Sequence, residues 1–306
     1  MYAEDTAMRK MTGVTTPIIC PFTLDGKIDF DAFGQMIDYL IEKGVDGLYV
    51  NGTTGEMNRM TIQERKDLAA YAVQRVAGRI GVYVQCGADN TEQTLELAKH
   101  AYEIGADGIG AVTPFYMGVK DTEMIQYYID ISDALPEDFP IYLYNIPQCA
   151  SNDIKPEVVN AIAARCKNVV GIKYSLTDID RFREYIACNN GNFDVISGPD
   201  RIMLQALTMG CVGVVAGCSQ DDPTPFVNCF SAYTAGNLSA AEQANREINE
   251  LCDIVRAGGD IAYTKAAMVS EGLPLTYPRK PALPISPEEF NNLLDKLRAY
   301  RRKYNR

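Results

Sequence analysis

Short apolar runs alternate with amphipathic stretches along most of the chain. Residues 14–19, 47–50, 80–86, 108–112, 140–145, 169–174, 193–197 and 212–216 are rich in Val, Ile, Leu and Tyr. Continuous apolar runs of this length mark strands buried on both faces, as in a parallel sheet. The segments between them have helical period and helical punctuation. Asp29 can cap a helix to about Lys43 that carries Phe33, Ile37, Leu40 and Ile41 on one face, and Gly44 stops it. Thr61 and Glu64 have capping-box spacing for a helix to about Ala77. Thr91 starts a helix that ends at Gly105, and further helices follow Asp121, Pro156 and Asp178 and cover 201–209.

The count of strands decides the architecture. Eight short apolar strands alternate with helices at a spacing of about 20 to 35 residues, which parallel β-α units require. Eight such units close a (β/α)8 TIM barrel. The main rival, an open doubly wound sheet, usually carries a glycine-rich phosphate turn after its first strand. Here that turn is Cys20-Pro21-Phe22. After residue 222 the strand signals stop, and 225–233, 239–256, 263–270 and 287–304 read as helices punctuated by Gly258-Gly259 and a proline-rich stretch. The expected organisation is a barrel over residues 1–222, carrying the active site, and a C-terminal helical extension over 223–306.

Composition narrows the function classes. A net charge of −11 argues against nucleic acid, whose phosphates need Lys and Arg, and against an anionic membrane surface. No apolar run approaches the roughly 20 residues that span a bilayer, and Glu4 and Asp5 break any secretory signal at the start. The nine cysteines are odd in number and lack C-x-x-C spacing, so reduced thiols of a cytoplasmic protein are expected, with neither a disulfide framework nor a metal site. His100 is the only histidine and falls mid-helix, which leaves no Ser-His-Asp triad, and no P-loop motif occurs.

The sixth strand, Val169-Val170-Gly171-Ile172-Lys173-Tyr174, draws attention because a lysine interrupts its apolar run. Partial loss of water disfavours an ammonium and makes a neutral amine available, which can attack a carbonyl to form a Schiff base. The alternative is a lysine that snorkels, its stem on apolar surface and its charge in water. Barrel active sites lie at the C-terminal ends of the strands. There the chain places Thr53 and Thr54, Tyr116, Tyr144, Lys173 and Ser175, and Gly198, Asp200 and Arg201. Lys173 would be the nucleophile and Tyr144 the proton carrier, and the Thr53-Thr54-Gly55 turn offers hydroxyls and N–H groups to a carboxylate. A Thr-Thr-Gly turn can also be only a turn, and a tyrosine beside a barrel only core.

Gly52-Thr53-Thr54-Gly55-Glu56, Thr113-Pro114-Phe115-Tyr116, Tyr144-Asn145-Ile146-Pro147 and Gly171-Ile172-Lys173 resemble, in order, the motifs of the dihydrodipicolinate synthase / N-acetylneuraminate lyase family. The similarity runs from about Gly13 to about Pro287 and includes Arg279-Lys280-Pro281. The family consists of class I Schiff-base aldolases, mostly homotetramers. The resemblance implies that Lys173 forms the imine with pyruvate and that no cofactor beyond that covalent imine is needed. It implies that Tyr144 transfers protons with Thr53 and Tyr116 as relay partners, Tyr116 reaching into the neighbouring subunit's site. Thr54 would hold the pyruvate carboxylate, and Ser175, Gly198, Asp200 and Arg201 would line the remainder of the substrate site.

The departures bear on substrate. Synthases of the family typically carry an arginine two residues after the proline of the tyrosine motif, where this chain has Cys149. A neutral thiol cannot replace a bidentate guanidinium. Sialic acid lyases typically read Ser-Thr in the first motif and Asp-Glu after the strand-seven glycine, where this chain has Thr53-Thr54 and Asp200-Arg201. Arg201 would either bind an acidic group at the far end of the substrate or close a salt bridge. The expected function is a pyruvate-dependent lyase whose partners are pyruvate and a small aldehyde or 2-oxo acid. A 2-oxo-3-deoxy sugar acid is the favoured substrate, ahead of a dihydrodipicolinate synthase or a non-catalytic binding barrel.

Overall fold

The computed structural model describes residues 9–257 and 260–306. Its eight strands are β1 Gly13–Thr16, β2 Gly47–Val50, β3 Gly81–Gln85, β4 Gly108–Val112, β5 Ile141–Asn145, β6 Val169–Tyr174, β7 Asp194–Ser197 and β8 Gly213–Val215. All pair in parallel in sequence order, and β8 returns to β1, with Val14 opposite Val214. The chain is therefore a closed (β/α)8 barrel. Helices Phe30–Glu42, Ile62–Val76, Thr91–Glu103, Asp121–Asp133, Pro156–Ala163, Ile179–Ala187, Met203–Met209 and Thr224–Thr234 surround it. The last of these lies against β1 and Met203–Met209 as the eighth helix of the ring. Among the described residues no helix is long and apolar enough to cross a membrane.

The expected caps form. The Asp29 carboxylate accepts the Ala32 N–H at 2.9 Å, and Thr61 and Glu64 complete a reciprocal capping box. The third helix starts at Thr91 as expected, with Asn90 as its cap accepting from the Gln93 N–H at 2.9 Å.

The barrel interior is aromatic and layered. Toward the N-terminal ends of the strands, Tyr83 and Tyr142 pack edge to face, and the Met11 N–H donates to the Tyr142 hydroxyl at 2.7 Å. Above them Tyr49 and Tyr144 pack edge to face with centroids 6.0 Å apart. Gly110 on β4 makes room for this layer, because a Cβ there would lie 2.1 Å from the Tyr49 hydroxyl oxygen. Such interior packing fills the barrel and leaves the chemistry to its rim.

The C-terminal helices close over that rim. Helix Leu238–Ile254 packs on Thr224–Thr234 and on the short turn Asp200–Ile202 after β7. Farther along, Arg279 clamps the turn at Gly26 to the second helix. Its guanidinium meets Glu64 in a two-pronged pair, at 2.6 and 2.8 Å, and donates to the Gly26 carbonyl. Arg279 holds the Glu64 carboxyl down at about 2, below its ordinary 4.5. A carboxyl depressed in the folded state stabilises above its ordinary value and loses that contribution as pH falls through the depressed one. Glu64→Gln is accordingly expected to lower Tm at neutral pH, with the difference from wild type closing as pH falls from 4.5 toward about 2. Thermal melts across that window check this, and a pH-independent difference would assign the effect to packing.

Candidate active site

Parallel register brings the two central residues together. Tyr144 on β5 is the Cα partner of Lys173 on β6. Side chains at the same level on adjacent strands meet at the C-terminal mouth, and there the Lys173 Nζ lies 4.0 Å from the Tyr144 ring centroid and 4.8 Å from that of Tyr49. Lys173 is only 5% exposed, so its amine is held between two aromatic faces with little water. The Tyr144 hydroxyl is within 3.2 Å of the Thr53 Oγ1, which comes from the turn after β2. The phenol and the Thr53 hydroxyl thus share a hydrogen bond along which a proton can pass from one oxygen to the other, beside the Lys173 amine.

This group opens on a cavity of 590 Å³ that Thr54, Ser175, Gly198, Asp200 and Arg201 also line. A Cβ at Gly198 would stand 2.2 Å from the Ser175 Oγ, so a side chain there would displace the Ser175 hydroxyl. One Asp200 carboxylate oxygen accepts the Cys218 N–H at 2.7 Å. Burial raises the Asp200 carboxyl above its ordinary value, and that N–H bond and the Lys173 charge oppose the shift. Arg201 reaches the cavity wall, but its guanidinium pairs with Asp253 at 2.7 Å and donates to the Asn249 carbonyl. Cys149 lies on the short helix Pro147–Ala150 at the mouth, and burial raises its thiol.

Tyr116 does not join the others within one chain. It is 91% exposed, its backbone is left-handed at φ 71°, and it faces a second hollow that it shares with Cys149 and Ser151.

Three features were not visible as site residues in the sequence. Tyr49 forms the second wall around Lys173, with its hydroxyl buried and unpartnered. Asp260, Ile261 and Thr264, from the C-terminal helices, line the cavity opposite the strands. Glu56, next to the Thr53-Thr54-Gly55 turn, is buried at φ 60° and accepts from Lys265, from Arg59 and from the Arg279 N–H. The glycine-threonine motif locates the turn, but nothing local announces the cation from Lys265 that holds it.

Residues 10–300 fit the model of the dihydrodipicolinate synthetase family. The chain belongs to that family. It is 33% identical over 286 residues to a probable 2-dehydro-3-deoxy-D-pentonate aldolase, YjhH, of Escherichia coli K12, covering 92% of this chain and 94% of that one. It is 32% identical over 276 residues to the 4-hydroxy-tetrahydrodipicolinate synthase of Bacillus subtilis, covering 90% and 94%. Among solved structures it superposes with a TM-score of 0.89 on YagE of Escherichia coli K12, a dihydrodipicolinic acid synthase family member in complex with pyruvate, at 29% identity over 95% of this chain and 98% of the other. As a member of this family, the chain is a lyase of the aldolase type.

Proposed function

We propose that this dihydrodipicolinate synthetase family lyase cleaves a 2-oxo-3-deoxy sugar acid to pyruvate and an aldehyde through an imine on Lys173. The observation that carries the reading is the Lys173–Tyr144–Thr53 cluster at one end of the cavity, with Cys149 rather than an arginine at its mouth. The Lys173 amine attacks the C2 carbonyl, and loss of water leaves the imine. Tyr144 takes the proton of the C4 hydroxyl as the C3–C4 bond breaks, and the electron pair moves into the imine to give an enamine. Protonation at C3 and addition of water then release pyruvate and restore the amine. The Thr54 turn receives the carboxylate, and Ser175, Gly198 and Asp200 face the hydroxylated tail. Arg201 serves as a wall of the cavity, its charge taken up by Asp253.

The thiol of Cys149 offers a second carboxylate only a weak donor where a guanidinium would bind it in bidentate fashion, which disfavours aspartate semialdehyde as the partner. YjhH, among the relatives, is named for a 2-dehydro-3-deoxy sugar acid, which supports the same substrate class. Tyr116, exposed in a single chain, would complete the proton relay from a neighbouring subunit of a homotetramer. The protein would act in the cytoplasm and would need no cofactor for this chemistry.

The test is peptide mass spectrometry after pyruvate and borohydride, followed by assays of pyruvate release from 2-oxo-3-deoxy sugar acids. A reduced adduct on the peptide carrying Lys173, together with sugar acid cleavage, is the expected result. An absent adduct in folded protein would overturn the mechanism. Condensation of pyruvate with aspartate semialdehyde at ordinary enzyme rates, without sugar acid cleavage, would make it a synthase. Tyr144→Phe keeps the ring beside Lys173 and removes the phenol, so kcat should fall by roughly 10²- to 10⁴-fold. Steady-state kinetics on the cleaved substrate measures this, and a loss under tenfold would exclude Tyr144 as the proton carrier.

A further inference from the structure

The wall of the cavity away from Thr53 carries a second group of donors. Asp200 opens the turn after β7, Cys218 lies in the turn Gly217–Gln220 after β8, and Cys252 is near the end of helix Leu238–Ile254. A carboxylate oxygen of Asp200 and the two Sγ atoms all lie within 4.8 Å of one another. Cys252 directs its S–H at the Cys218 Sγ, 3.6 Å away. Tetrahedral zinc with Zn–S bonds of about 2.3 Å holds two thiolates roughly 3.8 Å apart. The pair therefore already has close to the spacing that such an ion imposes.

Other buried thiols are used differently. Cys86, Cys188 and Cys229 donate to backbone carbonyls of Val84, Glu184 and Ala241. Asp200 is likewise set apart, since the adjacent Arg201 pairs with Asp253 instead. The Cys218 N–H fixes one Asp200 oxygen at 2.7 Å, which orients the carboxylate as an outer-shell hydrogen bond does at a metal site.

We propose that Asp200, Cys218 and Cys252 form a binding site for a divalent transition metal ion of the zinc type. Two thiolates and one carboxylate suit a borderline-soft ion that takes four ligands. Asp200 and Cys218 line the cavity while Cys252 is buried behind them, so the fourth position opens on the cavity, to water or to a substrate oxygen. The thiols give up their protons as the ion binds. The site shares Asp200 with the substrate cavity but takes no part in forming the imine, and its test uses no substrate, so its failure would leave the lyase reading untouched.

The experiment is anaerobic titration of the reduced, chelator-stripped full chain with Co²⁺. A single ion per chain is expected, with thiolate-to-cobalt charge-transfer bands and the visible bands of tetrahedral cobalt, all displaced by Zn²⁺. Cys252→Ser should lose about half of the charge-transfer intensity, in proportion to one of two thiolates. Cys211→Ser, which removes a buried thiol outside the cluster, should keep all of it. Octahedral cobalt spectra without thiolate bands, or bands unchanged in Cys252→Ser, would overturn the proposal. Zinc-edge X-ray absorption on the loaded wild-type protein decides the matter if the serine variant does not fold. Sulfur scatterers at about 2.3 Å would support the site, and a shell of oxygen and nitrogen alone would refute it.

Discussion

Lys173→Ala is expected to abolish the borohydride-reduced pyruvate adduct and to lower kcat/KM by roughly 10⁴- to 10⁶-fold, the range seen when a residue of a covalent catalytic unit is removed. The magnitude follows from what alanine leaves behind. The cavity, the Thr54 turn and the Tyr144–Thr53 hydrogen bond all stay in place, so substrate still binds. On the proposed mechanism, what disappears is the electron sink, and no neighbouring group replaces it. Arg59 and Arg201, the other cations lining the cavity, are engaged by Glu56 and Asp253 and carry no nucleophilic amine. The fold should tolerate the change, because Lys173 contacts aromatic faces and forms no ion pair among the described residues. Equal melting temperatures with no adduct would locate the loss in chemistry. A variant that retained more than about a hundredth of wild-type kcat/KM would rule out an obligatory imine at this position.

Lys173 and Tyr144 were legible in the sequence for a physical reason. Strand periodicity makes a charged residue inside an apolar run conspicuous, and barrel geometry assigns strand ends to one rim. The same logic located β2 and β4, whose expected and observed limits coincide at 47–50 and 108–112. Boundaries drifted where apolar residues continue past the last ladder bond, as in β1, expected over 14–19 and observed as Gly13–Thr16. Local patterns say that a residue is buried but not what it faces. Tyr49 falls in the apolar run 47–50, which marks it only as a strand residue, and only the closed barrel puts its ring beside Lys173. Arg201 shows the same limit from the other side, since its partner Asp253 lies on a helix that sequence spacing cannot dock. The Cys218–Cys252 approach is equally silent, because each cysteine sits singly in an otherwise ordinary stretch.

The pairing hardest to foresee has a large expected effect on stability. Lys265 is fully buried, and its ammonium donates to Glu56 and, at 2.8 Å, to the Tyr277 carbonyl, with the Phe22 ring centroid 4.4 Å away. Burial lowers the Lys265 ammonium below its ordinary value, and the Glu56 carboxylate opposes that shift. Removing one partner of a buried ion pair strands the other, at a cost of about 3 to 5 kcal/mol. Lys265→Met should accordingly lower the stability of the barrel by about that amount, visible as a Tm fall on the order of 10 °C. Arg59 and the Arg279 N–H still reach Glu56 in that variant, which places the expected cost toward the lower end of the range. Adding Glu56→Gln should recover part of the loss, since a neutral amide tolerates the missing cation better than a carboxylate does. Calorimetry on the two single variants and the double variant closes this cycle. Glu56 follows directly on the Thr-Thr-Gly turn, so the single Lys265→Met change should also raise KM for the cleaved 2-oxo acid while the borohydride adduct with pyruvate still forms. Additive losses in the double variant would mean that Lys265 acts by packing on Phe22 and the segment at Tyr277 rather than by neutralising Glu56.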